Sequence, residues 1–347
     1  MSNPTRRATP IYVLTLTWLL LTTVSGQDPA APKNLFGIKN ENQTEVFVAA
    51  DVPKKVAKAV RDTLAVGVDT WGSSGRLEYW VLGTDRTAAV ELAAVFCKRR
   101  VQRGQMRKQD CLNDSTNKDH GFLTYQEIGA NALATGRPHG SAGHNGGAEW
   151  GMHRMSSSLP LGFAGVLDIA GEQEQITILH EYWHSIQNSF IQSQDHRLRR
   201  KRMGPVWFVE GSAVAMAEIT CSKLWKSGKL PKWNNSSQPT QNLRKRMTNK
   251  MNAVQRKRKD CQTLLPDSYD DSCRQLAYDS GGWAIAYLMN QFGEDVLLKS
   301  FHPNVNRLGW EACFRKTFGQ SSADFADEFQ IFMDLPLQEQ IKILPQD

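Results

Sequence analysis

Apolar positions three and four residues apart recur along this chain and mark it as largely helical. Val56, Val60, Leu64 and Val68 predict a first helix over 54–69. A short strand over 77–82 (LEYWVL) and a second helix over 86–101 follow. From 103 to 147 the chain is polar and glycine-rich and reads as long loops with little regular structure, and 149–157 (EWGMHRMSS) reads as an extended segment. The most regular stripe comes next: Ile176, Leu179, Trp183, Ile186 and Phe190 line one face of a buried helix between Gly171 and Ile191. Pro205 is placed to open another helix, whose Gly211, Ala213, Ala215 and Ala217 would let it lie close against the preceding one. Residues 225–272 are polar and basic and read as an insertion. Helical patterning resumes over 274–292, with Gly293 as the C-cap. Two more helices are predicted near 309–318 and 322–333, the last capped by Ser321 with Asp324 three residues on. No internal repeat is present.

The fold class expected from this pattern is α+β. A small N-terminal α/β subdomain (45–192) ends in the helix of the regular stripe, and a mostly helical C-terminal subdomain (193–347) carries the insertion. At 347 residues the chain is long enough for two subdomains around a shared cleft. A hydrophobic fraction of 40% against 22% charged residues excludes a disordered chain.

The first 26 residues have the form of a secretory signal. Arg6 and Arg7 precede an 11-residue apolar core, Ile11 to Leu21, and small residues Val24-Ser25-Gly26 suit cleavage before Gln27. That core is short of the roughly 20 residues a membrane span needs, so no stable membrane insertion is expected after cleavage. Residues 27–44, rich in Pro and Asn, read as a flexible arm. Six cysteines and no CxxC pair fit an oxidising compartment. Local loop closure suggests Cys97–Cys111 and Cys261–Cys273, which leaves Cys221–Cys313. Asn42, Asn113, Asn234 and Asn235 open glycosylation sequons.

The net charge of +7 comes from runs: Arg197–Arg202 (RLRRKR), Arg244–Arg246 (RKR) and Arg256–Lys259 (RKRK). No aromatic residues interleave them as a nucleic-acid groove requires, so no nucleic-acid partner is expected. They read as solvated loops and helix faces, with weak contact to a polyanion as the functional alternative.

The stripe helix carries His180-Glu181-Tyr182-Trp183-His184, an HExxH motif. A spacing of four puts both imidazoles on one helix face, able to converge on one cation. Glu181, one step round, can reach a water on the open side of that cation. Imidazole ligands suit Zn²⁺, which at a catalytic site takes three protein ligands and keeps one position for water. The bland reading is two histidines and a glutamate on an ordinary helix.

After 25 intervening residues comes Trp207-Phe208-Val209-Glu210-Gly211-Ser212-Ala213. HExxH followed by WxxEGxA resembles the gluzincin metallopeptidases, including the thermolysin-like and alanyl-aminopeptidase-like families. The resemblance covers about 170–333 and is most specific over 180–213. It implies that Glu210 is the third zinc ligand and Glu181 the general base of peptide hydrolysis, in a zinc cleft between the two subdomains. Ala277-Tyr278-Asp279-Ser280-Gly281-Gly282 resembles the aminopeptidase segment whose tyrosine donates to the oxyanion of the tetrahedral intermediate, which implies that role for Tyr278. Gly146-Gly147-Ala148-Glu149-Trp150 is a partial echo of the segment whose glutamate binds a substrate's N-terminal amine, which makes Glu149 a candidate substrate-binding residue.

The chain departs from the family at Val214, where many gluzincins have an aspartate that orients the first histidine. Glu218 and Glu174 are the candidates to take over that task. His139, His144 and His153 precede the motif and read as polar surface. Arg199-Arg200-Lys201-Arg202 fits a dibasic cleavage site, but cutting there would separate His184 from Glu210, and a solvated loop is the reading preferred. The expected function is therefore a secreted zinc peptidase acting on a peptide or protein substrate. Two alternatives stand beside it: a zinc-stabilised binding protein whose catalysis has lapsed, and a secreted basic polyanion-binding protein without metal.

Overall fold

The run LEYWVL is apolar on both sides of the strand because the sheet it joins is covered on both faces. In the computed structural model, which describes residues 43–345 except 74, 118–120, 138, 148–151, 160–171 and 231–241, β1 (Gln43–Val48), α1 (Lys54–Trp71) and β2 (Arg76–Val81) open the fold. β1 and β2 pair in parallel, Gln43 opposite Arg76 through Val48 opposite Val81, with α1 as the crossover. Three helices follow, α2 (Arg86–Gln102), α3 (Lys108–Asn117) and α4 (Phe122–Thr135), and then β3 (Ser141–Gly147) and β4 (Met152–Ser158). β4 runs parallel to β2 and antiparallel to β3, so the sheet order is β1-β2-β4-β3 with β3 at an edge.

Successive residues of β2 point to opposite faces. Leu77, Tyr79 and Val81 enter a large core shared with α1 and the C-terminal helices. Trp80 and Leu82 enter a second cluster with Phe96 of α2 and Phe122 of α4. Glu78 lies on that second face, buried, and three arginines neutralise it: Arg100 at 2.7 Å and Arg99 at 3.0 Å from α2, and Arg103 at 2.9 Å from the C-cap of that helix. A buried carboxylate is tolerated only with such pairing.

The second half is helical: α5 (Glu172–Ser189), α6 (His196–Met203), α7 (Val206–Lys226), α8 (Leu243–Lys257), α9 (Gln275–Phe292), α10 (His302–Leu308), α11 (Trp310–Phe318), α12 (Ser322–Met333) and α13 (Leu337–Gln340). The architecture is thus a mixed α/β one, dominated by helices. Gly293 ends α9 with φ of 97°, its N–H donating to the Met289 carbonyl, and Ser321 and Asp324 form the capping box of α12.

Several expectations are corrected. The stretch 103–147 is not loop: it holds α3, α4 and β3. Cys97–Cys111 ties the polar α3 to α2, and β3 was hidden by its composition, SAGHNGG. Its Gly143 is needed because a Cβ there would lie 2.6 Å from the Tyr125 hydroxyl. The stretch 225–272 is not a plain insertion, since Leu243, Met247, Met251 and Val254 of α8 line the main core. Arg197–Arg202 is not a solvated loop but most of α6, and Arg199 is buried, donating to the carbonyls of Ser193 at 3.0 Å and Asn188 at 3.2 Å. α7 does lie against α5, with Gln187 donating to the Val209 carbonyl, and it also approaches α9 closely, where a Cβ on Gly211 would lie 2.3 Å from the Gly281 carbonyl carbon. Gln43 and Thr44 belong to β1 and not to the arm. The signal, the rest of the arm, and Asn42, Asn234 and Asn235 lie outside the described residues; Asn113 is exposed on α3.

Two of the three expected disulfides form, Cys97–Cys111 and Cys261–Cys273, whereas Cys221 and Cys313 are free and buried. Even parity misled here, because buried cysteine also serves as a small apolar residue. Cys221 packs in the main core, and the Cys313 thiol donates to the Phe301 carbonyl at 3.1 Å. Burial pushes both thiols up, away from the reactive thiolate. Thiol titration of unreduced protein is therefore expected to find about two groups after denaturation and essentially none in the native state; none after denaturation would restore a third bridge. Two disulfides, and no helix among the described residues long and apolar enough to cross a membrane, are compatible with a secreted or lumenal protein.

Candidate metal centre

Two helices bring the metal-ligating side chains together. His180 and His184 share a face of α5, with ring centroids 4.8 Å apart and planes at 88°. Glu210 comes from the first turns of α7. Two of the N–H groups that open α7 are satisfied from outside: Val206 donates to the Asp267 carbonyl at 3.2 Å and Trp207 to the Pro266 carbonyl at 3.0 Å. That anchoring fixes the loop after Pro266 against the helix start and delivers Tyr269, whose hydroxyl donates to Glu210 Oε1.

The other carboxylate oxygen faces the histidines. Glu210 Oε2 lies 3.2 Å from His180 Nε2 and 3.3 Å from His184 Nε2, and the two Nε2 atoms are 3.2 Å apart. These three atoms form a nearly equilateral triangle and could hold a metal ion. A tetrahedral ion with bonds of about 2.0–2.1 Å has ligand atoms separated by roughly 3.3–3.4 Å. The donor set and its spacing therefore fit one face of such a tetrahedron.

Without metal the group balances its own charge. Burial opposes ionisation of His184, but Glu210 and Glu181 outweigh it and push the imidazole up to about 9. Burial likewise opposes charge on Glu210, yet His184 and His180 hold its carboxyl well below the usual range. Glu181 is buried beside them, and burial raises its carboxyl while the two histidines offset part of the rise. The backbone N–H of His144 on β3 donates to it.

Tyr278 of α9 stacks near His180, with ring centroids 6.2 Å apart and planes at 20°. Burial, then the Glu210 and Glu181 carboxylates, raise the phenols of both Tyr278 and Tyr269, so each keeps its proton at neutral pH. The structure thus brings His180, Glu181, His184, Glu210 and Tyr278 into one neighbourhood. Glu149 lies outside the described residues.

Of the two residues expected to orient the first histidine, Glu218 is engaged elsewhere and Glu174 lies more than a helical turn away. Glu218 is bound by Arg246, at 2.5 Å, and by Lys250 at 3.6 Å. Glu174 sits six residues, about 9 Å of helix rise, before His180. Val214 faces α9, where a Cβ on Gly282 would lie 2.7 Å from it. The second histidine has a partner of its own: His184 Nδ1 donates to Gln187 Oε1 at 2.7 Å. Of the earlier histidines, His144 and His153 are not surface residues: His144 Nε2 lies 3.0 Å from His153 Nδ1, and the His144 ring is 6.4 Å from that of His184. His139 is exposed.

Sequence reasoning missed Tyr269, Gln187 and the His144 amide. Tyr269 sits in a stretch read as insertion, and its approach depends on a loop anchored to a helix start, which no spacing rule encodes. Gln187 was legible as one turn beyond His184 on the same face. No protein-family model, curated protein or solved structure matches the chain.

Proposed function

We propose that this chain is a secreted zinc-dependent peptidase of gluzincin type. The observation that carries the reading is the triangle of His180 Nε2, His184 Nε2 and Glu210 Oε2 with Glu181 buried beside it. Two imidazoles and a carboxylate suit zinc, and two of the three, His184 and Glu210, are each held by an outer contact, from Gln187 and Tyr269. Bound there, zinc supplies Lewis acidity, polarising the scissile carbonyl and making water a better nucleophile at neutral pH.

The rest of the chemistry belongs to the chain. As the water oxygen attacks the carbonyl carbon, Glu181 takes its proton. When the C–N bond breaks, the same carboxyl passes that proton to the leaving amine. Its burial suits the task, since a carboxylate kept from water is a stronger base. Tyr278, a neutral O–H donor, stabilises the oxyanion. The substrate would lie in the cleft between the sheet-bearing and helical halves, and β3 offers edge N–H and C=O groups beside α5 to an extended peptide. Glu149 is retained as a candidate for binding substrate. The basic runs support the polyanion reading less: Arg199 is buried in backbone contacts, Arg246 pairs with Glu218 and Arg258 with Asp334.

Purified secreted protein is expected to carry about one zinc per chain and to hydrolyse peptides until a strong chelator is added, with zinc restoring activity. Full zinc with no turnover across a broad peptide library would instead identify the lapsed, zinc-stabilised binding protein. No zinc, with salt-dependent retention on heparin, would identify the polyanion binder.

A further inference from the structure

We infer that Gln187 is the residue that orients His184, the second histidine of the motif, for the metal. The inference rests on the zinc reading above. Its basis is a closed hydrogen-bond network between the two ligand-bearing helices.

Gln187 is buried, one turn after His184 on α5. Its Nε2 donates to the Val209 carbonyl at 3.1 Å and to Ser212 Oγ at 2.7 Å, both on α7. Ser212 in turn donates to the Val209 carbonyl at 3.1 Å and accepts from the Trp183 indole at 3.3 Å. The roles in this network can be assigned from chemistry alone. A carbonyl only accepts and an indole N–H only donates. With its one proton directed at Val209, the Ser212 hydroxyl must accept from Gln187. The amide therefore turns its NH₂ toward α7 and its oxygen toward His184. That oxygen cannot donate, so His184 Nδ1 must carry the proton in the 2.7 Å bond. In the neutral ring, Nε2 is then left with the lone pair, and Nε2 is the atom in the ligand triangle. Val209 directly precedes the ligand Glu210, so the same amide also ties the ligand-bearing turn of α7 to α5.

A ligand histidine commonly relies on such a partner, whose loss costs about 10–100-fold in metal affinity. The test compares zinc affinity, by competition with a chromogenic chelator, in wild type, Gln187→Met and Gln187→Glu. Gln187→Met keeps the length and apolar volume but has no acceptor, and is expected to bind zinc about 10–100-fold more weakly. Gln187→Glu keeps an acceptor oxygen for Nδ1 and is expected to bind within about threefold of wild type, or more tightly. A purely structural role predicts the reverse, because the carboxylate would face the Val209 carbonyl without a donor and suffer more than methionine. Circular dichroism of the metal-free proteins confirms that each variant is folded before titration. Zinc binding by Gln187→Met equal to wild type, or by Gln187→Glu as weak as Gln187→Met, would overturn the inference. Absence of tight zinc binding in wild type itself would instead remove the reading on which it rests.

Discussion

Glu181→Gln is expected to keep its zinc and its fold while peptide hydrolysis falls by about 10²–10⁴-fold. That loss corresponds to about 2.7–5.5 kcal/mol of transition-state stabilisation. The amide has nearly the shape of the carboxylate, and its oxygen can still accept the His144 backbone N–H that holds Glu181 now. Glu181 is not one of the three atoms in the ligand triangle, so the metal loses no ligand. What disappears is the ability to accept a proton from water and return it to the leaving amine. The effect should fall on kcat and on kcat/KM together, as expected for an interaction made in the transition state. Metal analysis and peptide kinetics on the same preparation check both halves. Turnover equal to wild type, with zinc in place, would end the peptidase reading as stated.

How much of this was legible depended on whether the signal was periodic. The stripe of α5 placed His180, Glu181 and His184 correctly on one helix, because a spacing of four fixes the face whatever the surroundings. α1, α2, α9, α11 and α12 were legible for the same reason. α8 carries the same spacing at Leu243, Met247, Met251 and Val254, but the Lys and Arg between them give the segment the composition of a solvated insertion. β3 was not legible, since a glycine-rich edge strand carries no alternation to read. The ligand triangle needed tertiary information. Its position depends on how near α7 lies to α5, and α7 is anchored by Gly211 against Gly281 of α9 and by the loop holding Tyr269. The contacts made by Ser212 and Tyr269 are properties of that assembly, and no residue spacing announces them. The free Cys221 and Cys313 make the same point: parity counts cysteines, but only the packed structure shows which of them meet.

The other large effect concerns the metal itself. His180→Ala and Glu210→Ala are each expected to reduce zinc affinity by more than the roughly 10–100-fold that loss of an outer contact costs, since each removes one of three protein ligands. Glu210→Ala should be the worse of the two. It removes a charge as well as a donor, and a dication held in a buried site depends on that charge more than it would in water. It also strips the Tyr269 hydroxyl of its acceptor. Neither variant should unfold the chain. α5, α7 and α9 pack through Trp183, Phe208 and the Gly211–Gly281 contact, all within the main core or its helix crossings and none dependent on a metal. This distinguishes the site from small zinc domains that fold only with metal bound. Thermal melts make the prediction quantitative. Zinc at 100 times its dissociation constant should stabilise wild type by about 2.7 kcal/mol. At the same concentration the two variants should melt as their metal-free forms do, with unchanged far-ultraviolet circular dichroism. Full zinc occupancy and an undiminished stabilisation in both variants would show that His180 and Glu210 do not hold the metal.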